Sequence, residues 1–148
     1  MLNYSLIEIN DSNISSLQKL SAEALGDNYS FVKRTIDEWE SGINTFSKHG
    51  ERLWGIFIND ECVAIGGLNQ DPYIEDVTVG RVRHVYVAKN YRGNALSKVI
   101  MKLILDEAKK NFRVLRLSTS NPVASSLYES MGFTKATGYK VTHILHLK

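Results

Sequence analysis

The sequence predicts a mixed α/β fold: one sheet with helices on both faces, in the order β-α-α-β-β-β-α-β-α-β-β. Three observations lead there. Short apolar stretches with strand patterning alternate with longer stretches whose apolar residues recur at helical spacing. Helix punctuation separates them, most clearly Asn121-Pro122 at one start and Gly132 at the following stop. Finally, an apolar strand passes through a short polar turn directly into a long apolar helix, at Val85-Tyr86-Val87-Ala88-Lys89-Asn90-Tyr91-Arg92-Gly93-Asn94-Ala95-Leu96-Ser97.

Tyr4 to Ile9 alternates and reads as the first strand. Asp11 or Ser12 can cap a helix carrying Leu17, Leu20, Ala24 and Leu25 that stops near Gly26. Ser30 can cap a second, with Phe31, Ile36, Trp39 and Ile43 along one side. Leu53 to Ile58 is apolar on both faces and predicts a buried strand. Asn59-Asp60-Glu61 turns the chain, and Cys62 to Leu68 returns as the hairpin partner. After a polar excursion from Gln70 to Asp76, Thr78 to Val87 forms the fourth strand. The helix after Gly93 reads as apolar almost all round, with Lys98, Lys102, Asp106 and Lys110 forming its polar stripe at four-residue spacing, so most of it should be buried. Arg113 to Ser118 is a fifth strand, the Asn121 helix carries Leu127 and Met131, and two strands follow from Phe133 and from Val141 to Leu147.

The strand-turn-helix junction has a chemical consequence. The first amides of a helix have no partner within it, and the helix dipole places partial positive charge at the same end. A glycine and a row of small residues leave those amides open. Such a junction suits a pyrophosphate.

At 148 residues one compact domain is expected, spanning the whole chain. A net charge of +2 with no Lys/Arg block argues against nucleic acid as a partner. The single cysteine, Cys62, lies in an apolar run and reads as a buried thiol, which fits a reducing, cytoplasmic setting. The N-terminal residues lack the form of a signal peptide, and no apolar run is long enough to span a bilayer. His143 and His146 fall three apart in a strand and so point to opposite faces; no metal is expected.

The element order and two motifs resemble the GNAT superfamily of acetyl-CoA-dependent N-acyltransferases. The first motif is Arg92-Gly93-Asn94-Ala95-Leu96-Ser97, where Ala95 and Ser97 fill the two small positions that the family usually gives to glycine. Right-handed backbone dihedrals are expected there. The second is Asn121-Pro122-Val123-Ala124-Ser125-Ser126-Leu127-Tyr128-Glu129-Ser130-Met131-Gly132-Phe133, which matches the family's Asn, small residue, Leu-Tyr and Gly-Phe. The resemblance covers essentially the whole chain from Tyr4.

The resemblance implies a mostly antiparallel, twisted sheet of about seven strands and acetyl-CoA as cosubstrate, with no metal. It implies a pyrophosphate on the backbone of Arg92, Gly93, Asn94, Ala95, Leu96 and Ser97, and a pantetheine arm along the fourth-strand edge at Val85 and Val87. Asn121 would hydrogen-bond that arm, the small Ala124 and Ser125 would let it pass, and an amide near Val85 would stabilise the thioester oxygen. Tyr128 would protonate the departing thiolate. For deprotonating the amine, the family often places a Glu where Arg83 stands here; His84, Glu75 and Asp76 are the candidates instead, beside a water relay or an amine already partly neutral. The acceptor is a primary amine of a small molecule or a protein, its identity set by the first two helices, the Gln70–Asp76 loop and the turn at Gly138-Tyr139. Trp39, Trp54 and Tyr73 are core or acceptor-lining residues. The family also allows a homodimer. Arg83 and the altered glycine pattern motivate a second functional class, a non-catalytic acyl-CoA sensor.

Overall fold

The computed structural model describes residues 2–147. Among them the chain forms seven strands and four α-helices: β1 Ser5–Glu8, α1 Gln18–Gly26, α2 Phe31–Glu40, β2 Arg52–Ile58, β3 Glu61–Gln70, β4 Val79–Val87, α3 Leu96–Asn111, β5 Val114–Leu117, α4 Pro122–Ser130, β6 Thr134–Lys135 and β7 His143–His146. They make one sheet of order β1-β2-β3-β4-β5-β7-β6. Every pairing is antiparallel except β4 with β5, which α3 connects as a crossover.

Each face of the sheet is closed by apolar helix surface. A Cβ added at Gly66 would strike Ile100 and Ile104 of α3, whereas one at Gly67 would strike Phe46, which stacks on Trp39 of α2. So α3 and α2 lie on opposite faces. On α3 the buried residues are Leu96, Ile100, Met101, Ile104 and Ala108, and the predicted stripe Lys98, Lys102, Asp106 and Lys110 is exposed. Leu53 to Ile58 is buried throughout, as its unbroken apolar run requires. Trp39 and Trp54 belong to the core, and so does Cys62, whose thiol burial pushes up to about 12.

The first two helices differ from expectation. A 3₁₀ turn, Ile14–Leu17, precedes α1, and neither Asp11 nor Ser12 caps it; Asp11 instead accepts a hydrogen bond from Trp39 Nε1 at 2.8 Å. Ser30 stands at the start of α2 without a side-chain capping bond. That helix ends at Glu40, so Ile43 falls beyond it and is 76% exposed, and Leu25 also faces outward. The second motif behaves as read. Asn121 Oδ1 accepts from the Val123 and Ala124 amides at 2.9 and 3.4 Å, Pro122 opens α4, and Gly132 follows it at φ +102°.

The strand that matters most for function is β4. It carries a bulge: His84 has φ +57°, and two β4 residues, His84 and Val85, stand opposite Gly66 alone. The bulge turns both Arg83 and His84 toward the α2 side, where Arg83 meets Asn69 and His84 meets Thr35.

Candidate active site

The site begins where two strands part. The parallel β4–β5 ladder runs only from Val79↔Val114 to Arg81↔Arg116. Past that point β5 continues against β7 and β4 against β3, so the outer edge of β4 from Val82 to Val87 has no strand partner among the described residues. The Ala88 amide donates to the Val63 carbonyl on β3. By strand alternation the Val85 and Val87 amides therefore face away from β3, into the gap. The two positions expected to meet a peptide-like arm lie on this open edge. The Val87 carbonyl already accepts from Arg92 Nε at 3.0 Å, while neither backbone group of Val85 has a side-chain partner among the described residues.

Directly beyond the gap lies the junction loop. Gly93 has φ +85° and Ala95 φ +60°. The expectation of right-handed dihedrals fails at Ala95: it occupies the left-handed region, where a methyl side chain costs about 1–2 kcal/mol. Two left-handed residues with one residue of negative φ between them make the kind of backbone that turns successive amides to one side, a nest. The Val99 amide donates to the Ala95 carbonyl, the first such bond of α3, and none of the amides from Gly93 to Lys98 has a partner among the described residues. Those amides, at the positive end of a 16-residue helix, form an anion cradle. The Arg92 side chain does not enter it. It reaches back to Asp27 at 3.0 Å and lies over the Tyr86 ring at 5.3 Å, while Lys89 pairs with the same Asp27 at 3.2 Å. Arg92 therefore braces the loop against α1.

On the opposite wall stands α4. Tyr128 is 7% exposed, and its hydroxyl forms no hydrogen bond with the described residues while staying open to solvent. Burial pushes its pKa up to about 12, so the phenol keeps its proton at neutral pH. Asn121 is committed to capping, with its amide nitrogen 3.4 Å from the Tyr29 hydroxyl. The Ser125 hydroxyl is engaged: it donates to Glu129 at 2.7 Å and lies 3.1 Å from His143 Nε2. That hydroxyl ties α4 to β7.

The candidate bases have very different surroundings. The Thr35 hydroxyl donates to the Phe31 carbonyl at 2.8 Å, so it can only accept from His84 Nδ1, 2.5 Å away. That fixes His84 as the Nδ1–H tautomer, with bare Nε2 facing Arg83 Nη2 at 3.4 Å. Burial first, then the charges of Arg83, Arg34 and Arg81, push the imidazole down to about 3. Asp76 is held down to about 2 by hydrogen bonds from Thr78 and Arg113. Both side chains are therefore poor proton acceptors near neutral pH. Glu75 is exposed and has no ion pair among the described residues.

Sequence reasoning missed the charges at the base of the gap. Asp71, 3% exposed, holds Arg81 at 3.3 Å and Arg116 at 2.7 Å through one carboxylate oxygen. Arg116 also donates to the Tyr139 carbonyl at 2.7 Å, and Arg81 lies 4.8 Å from the centre of the Tyr73 ring. The available signal was Arg81, Arg83 and Arg116 inside otherwise apolar strands, since a buried guanidinium demands a partner. Among the described residues no group of three or more His, Cys, Asp or Glu is placed to hold a metal ion, and no helix is long and apolar enough to cross a membrane. A separate hollow of about 570 Å³, lined by residues such as Asp11, Trp39 and Glu107, lies near the C-terminal end of α3, away from the nest.

A parted strand pair beside a row of unpartnered amides is the open cleft of this fold, and comparison with known proteins gives its class. The acetyltransferase (GNAT) family model matches residues 15–133, so the chain belongs to the GNAT acetyltransferase family. Solved structures repeat the fold. One from Exiguobacterium sp. 255-15, provisionally described as an acetyltransferase, superposes with TM-score 0.87 at 23% identity over 98% of this chain and 94% of its own. A GNAT-family acetyltransferase from Staphylococcus aureus Mu50 gives 0.77 at 19% identity, covering 99% of this chain and 100% of that one. A ribosomal-protein-alanine N-acetyltransferase from Brucella melitensis gives 0.75 at 15%, covering 97% and 99%.

Proposed function

We propose that this chain is an N-acetyltransferase that moves an acetyl group from acetyl-CoA to a primary amine of a small molecule or protein, by direct attack in a ternary complex. The observation that carries this reading is the unpartnered amide nest at Gly93–Lys98 beside a β4 edge left open at Val85 and Val87. A phosphorylated carrier with a peptide-like arm satisfies both sets of backbone groups at once. Acetyl-CoA supplies the thioester, with its acyl carbon as electrophile and its sulfur as leaving group.

The chain's own groups take the remaining roles. Amides of Gly93, Asn94, Ala95, Leu96 and Ser97 would hold the pyrophosphate, and Arg92 keeps the loop in shape. The Val85 and Val87 edge would pair with the arm, with the Val85 amide available to the thioester oxygen. Asn121 fixes the start of α4, and Ala124 leaves space beside it. Tyr128 donates from its free, protonated hydroxyl to the departing sulfur. Of the three side chains considered as base, His84 and Asp76 are held from taking up a proton near neutral pH, which leaves the exposed Glu75 as the side-chain candidate. The alternative is water acting on an amine whose proton is already loosened.

Titration calorimetry with acetyl-CoA, paired with a transfer assay across an amine panel, tests the reading. Ala95→Asp puts a carboxylate inside the nest, at a left-handed position that Asp tolerates. Affinity should fall by an order of magnitude or more, on the scale of a lost charge-assisted contact, with a native circular dichroism spectrum. Unchanged affinity would place the cofactor elsewhere. Binding without transfer to any amine would favour the sensor.

A further inference from the structure

The acceptor side of the cleft carries a surplus of enclosed positive charge. Arg81, Arg83 and Arg116 lie together where β4 and β5 part. The carboxylate of Asp71 serves Arg81 and Arg116. Arg83 has no carboxylate within ion-pair distance among the described residues. Its Nη1 makes a long hydrogen bond of 3.3 Å to Asn69 Oδ1, an oxygen that already accepts from Asn44 at 2.9 Å, and its Nη2 lies 3.4 Å from His84 Nε2. Desolvation lowers the Arg83 pKa; Tyr73 and Glu38 counter this from a distance, while Arg81 and Arg34 add to it. A guanidinium partly drawn out of water and short of an anion is costly to retain, and the three of its five donors without a partner among the described residues are left to solvent or to a ligand.

We propose that Arg83 binds a carboxylate of the acceptor, which is therefore a small amine bearing a carboxylate within a few bonds of its nitrogen. This rests on the transferase reading above. Arg83 faces Gly67 and Val85 stands opposite the neighbouring Gly66, so the bulge sets the two about one strand step apart along the sheet. A carboxylate held there leaves a nitrogen one or two carbons away close to the Val85 amide. The planar guanidinium fork matches a carboxylate. At the rim, Tyr73 and Tyr139 meet edge to face with ring centroids 5.8 Å apart, and Lys140 lies within 6 Å of both rings, at 5.9 and 5.8 Å. Positive charge at the mouth favours entry of an anion.

The test compares amino acids with their own amides and decarboxylated amines, which keep the nitrogen and lose the anion. Acetyl transfer by the full chain, with acetyl-CoA in excess, should favour the acid over both neutral counterparts by roughly 10–100-fold in kcat/KM, the scale of a charge-assisted pair. Arg83→Met should collapse that preference through KM for the acid, and Arg83→Lys should restore part of it. Acetyl-CoA affinity and thermal melting are measured on each variant. Where the Met variant does not fold, the Lys variant alone decides, since it too should erode the acid-to-amide ratio. Preference for the neutral amines, or an acid-to-amide ratio untouched by either substitution, overturns the proposal. Failure to bind acetyl-CoA, or binding it without transfer to any amine, instead overturns the transferase reading.

Discussion

Lowering the pH from 7.5 to 5.0 should cost this fold about 2 kcal/mol through one side chain, His84. Its Nδ1–H is committed to Thr35, and its bare Nε2 faces the Arg83 guanidinium. A proton on Nε2 would set two cations against each other in a site where Arg34 and Arg81 add further positive charge. Burial and these charges put the folded-state pKa at about 3, against 6.5 for a free histidine. The depressed value means the folded state prefers neutral His84. That contribution is complete above pH 6.5 and is lost as pH falls from 6.5 toward 3, because the unfolded chain then binds the proton and the folded chain does not. At pH 5 the gap is about 1.5 pH units, which at about 1.36 kcal/mol per unit gives the figure above. It is an upper value, because the residue retains some solvent contact. Urea unfolding of wild type and His84→Gln at both pH values isolates the effect. Gln can donate to Thr35 and accept from Arg83 without titrating, and every other group is shared. Wild type should lose about 2 kcal/mol more than the variant. Equal losses would refute the tautomer and the enclosed environment together. The same experiment bears on catalysis. A group this acidic when protonated takes no proton from an ammonium near neutral pH, so the rate–pH profile of His84→Gln should keep its wild-type limb.

Two further outcomes follow from the walls of the cleft. Tyr128→Phe keeps the ring against Phe133 and removes only the hydroxyl, so kcat should fall roughly 10²–10⁴-fold with acetyl-CoA affinity little changed; full activity would leave Tyr128 a packing residue. Asp71→Asn strips the shared counter-charge from two buried arginines, and should destabilise the fold by about 3–5 kcal/mol, read as a drop in melting temperature on the order of 10 °C; a melt within about a degree of wild type would show that the cluster does not hold the strands.

How much of this could be read in the sequence depended on whether a feature is local. Strands and helices whose own residues fix their periodicity were legible, as were the Asn121-Pro122 start and the Gly132 stop of α4. The nest was legible in position because Arg92 to Ser97 must pass from strand to helix. Its handedness was not: Ala95 carries no signal for a left-handed residue, and the chain accepts the strain because α3 and the Arg92 brace determine the loop from outside. The start of α1 was misread because Asp11 is drawn off by Trp39, a partner 28 residues away. The roles of His84 and Ser125 had the same obstacle. Their residue types announce chemistry, but Thr35, Arg83, Glu129 and His143 decide what each can do, and tertiary packing alone brings those groups together.

The arginine that displaces the family's carboxylate also suggests how an amine could lose its proton here without a strong base. A unit positive charge roughly 6–8 Å from an ammonium, at an effective dielectric of about 20, disfavours the proton by about 2–3 kcal/mol, or about 1.5–2 pH units. His84 is depressed first by burial, and Arg83, Arg34 and Arg81 add a push in the same direction. The acceptor carries its carboxylate in solution as well, so the added charge of Arg83 is the difference between the bound and the free amine. Water would then suffice as the proton acceptor. The expected signature is a limb in the kcat–pH profile, which reports the bound complex, at least one unit below the solution pKa of the amine. Arg83→Met should move that limb back up. A wild-type limb at the solution pKa would mean that the field does not reach the nitrogen. The proton would then have to leave to a side chain, with Glu75→Gln as the substitution that should abolish the rate.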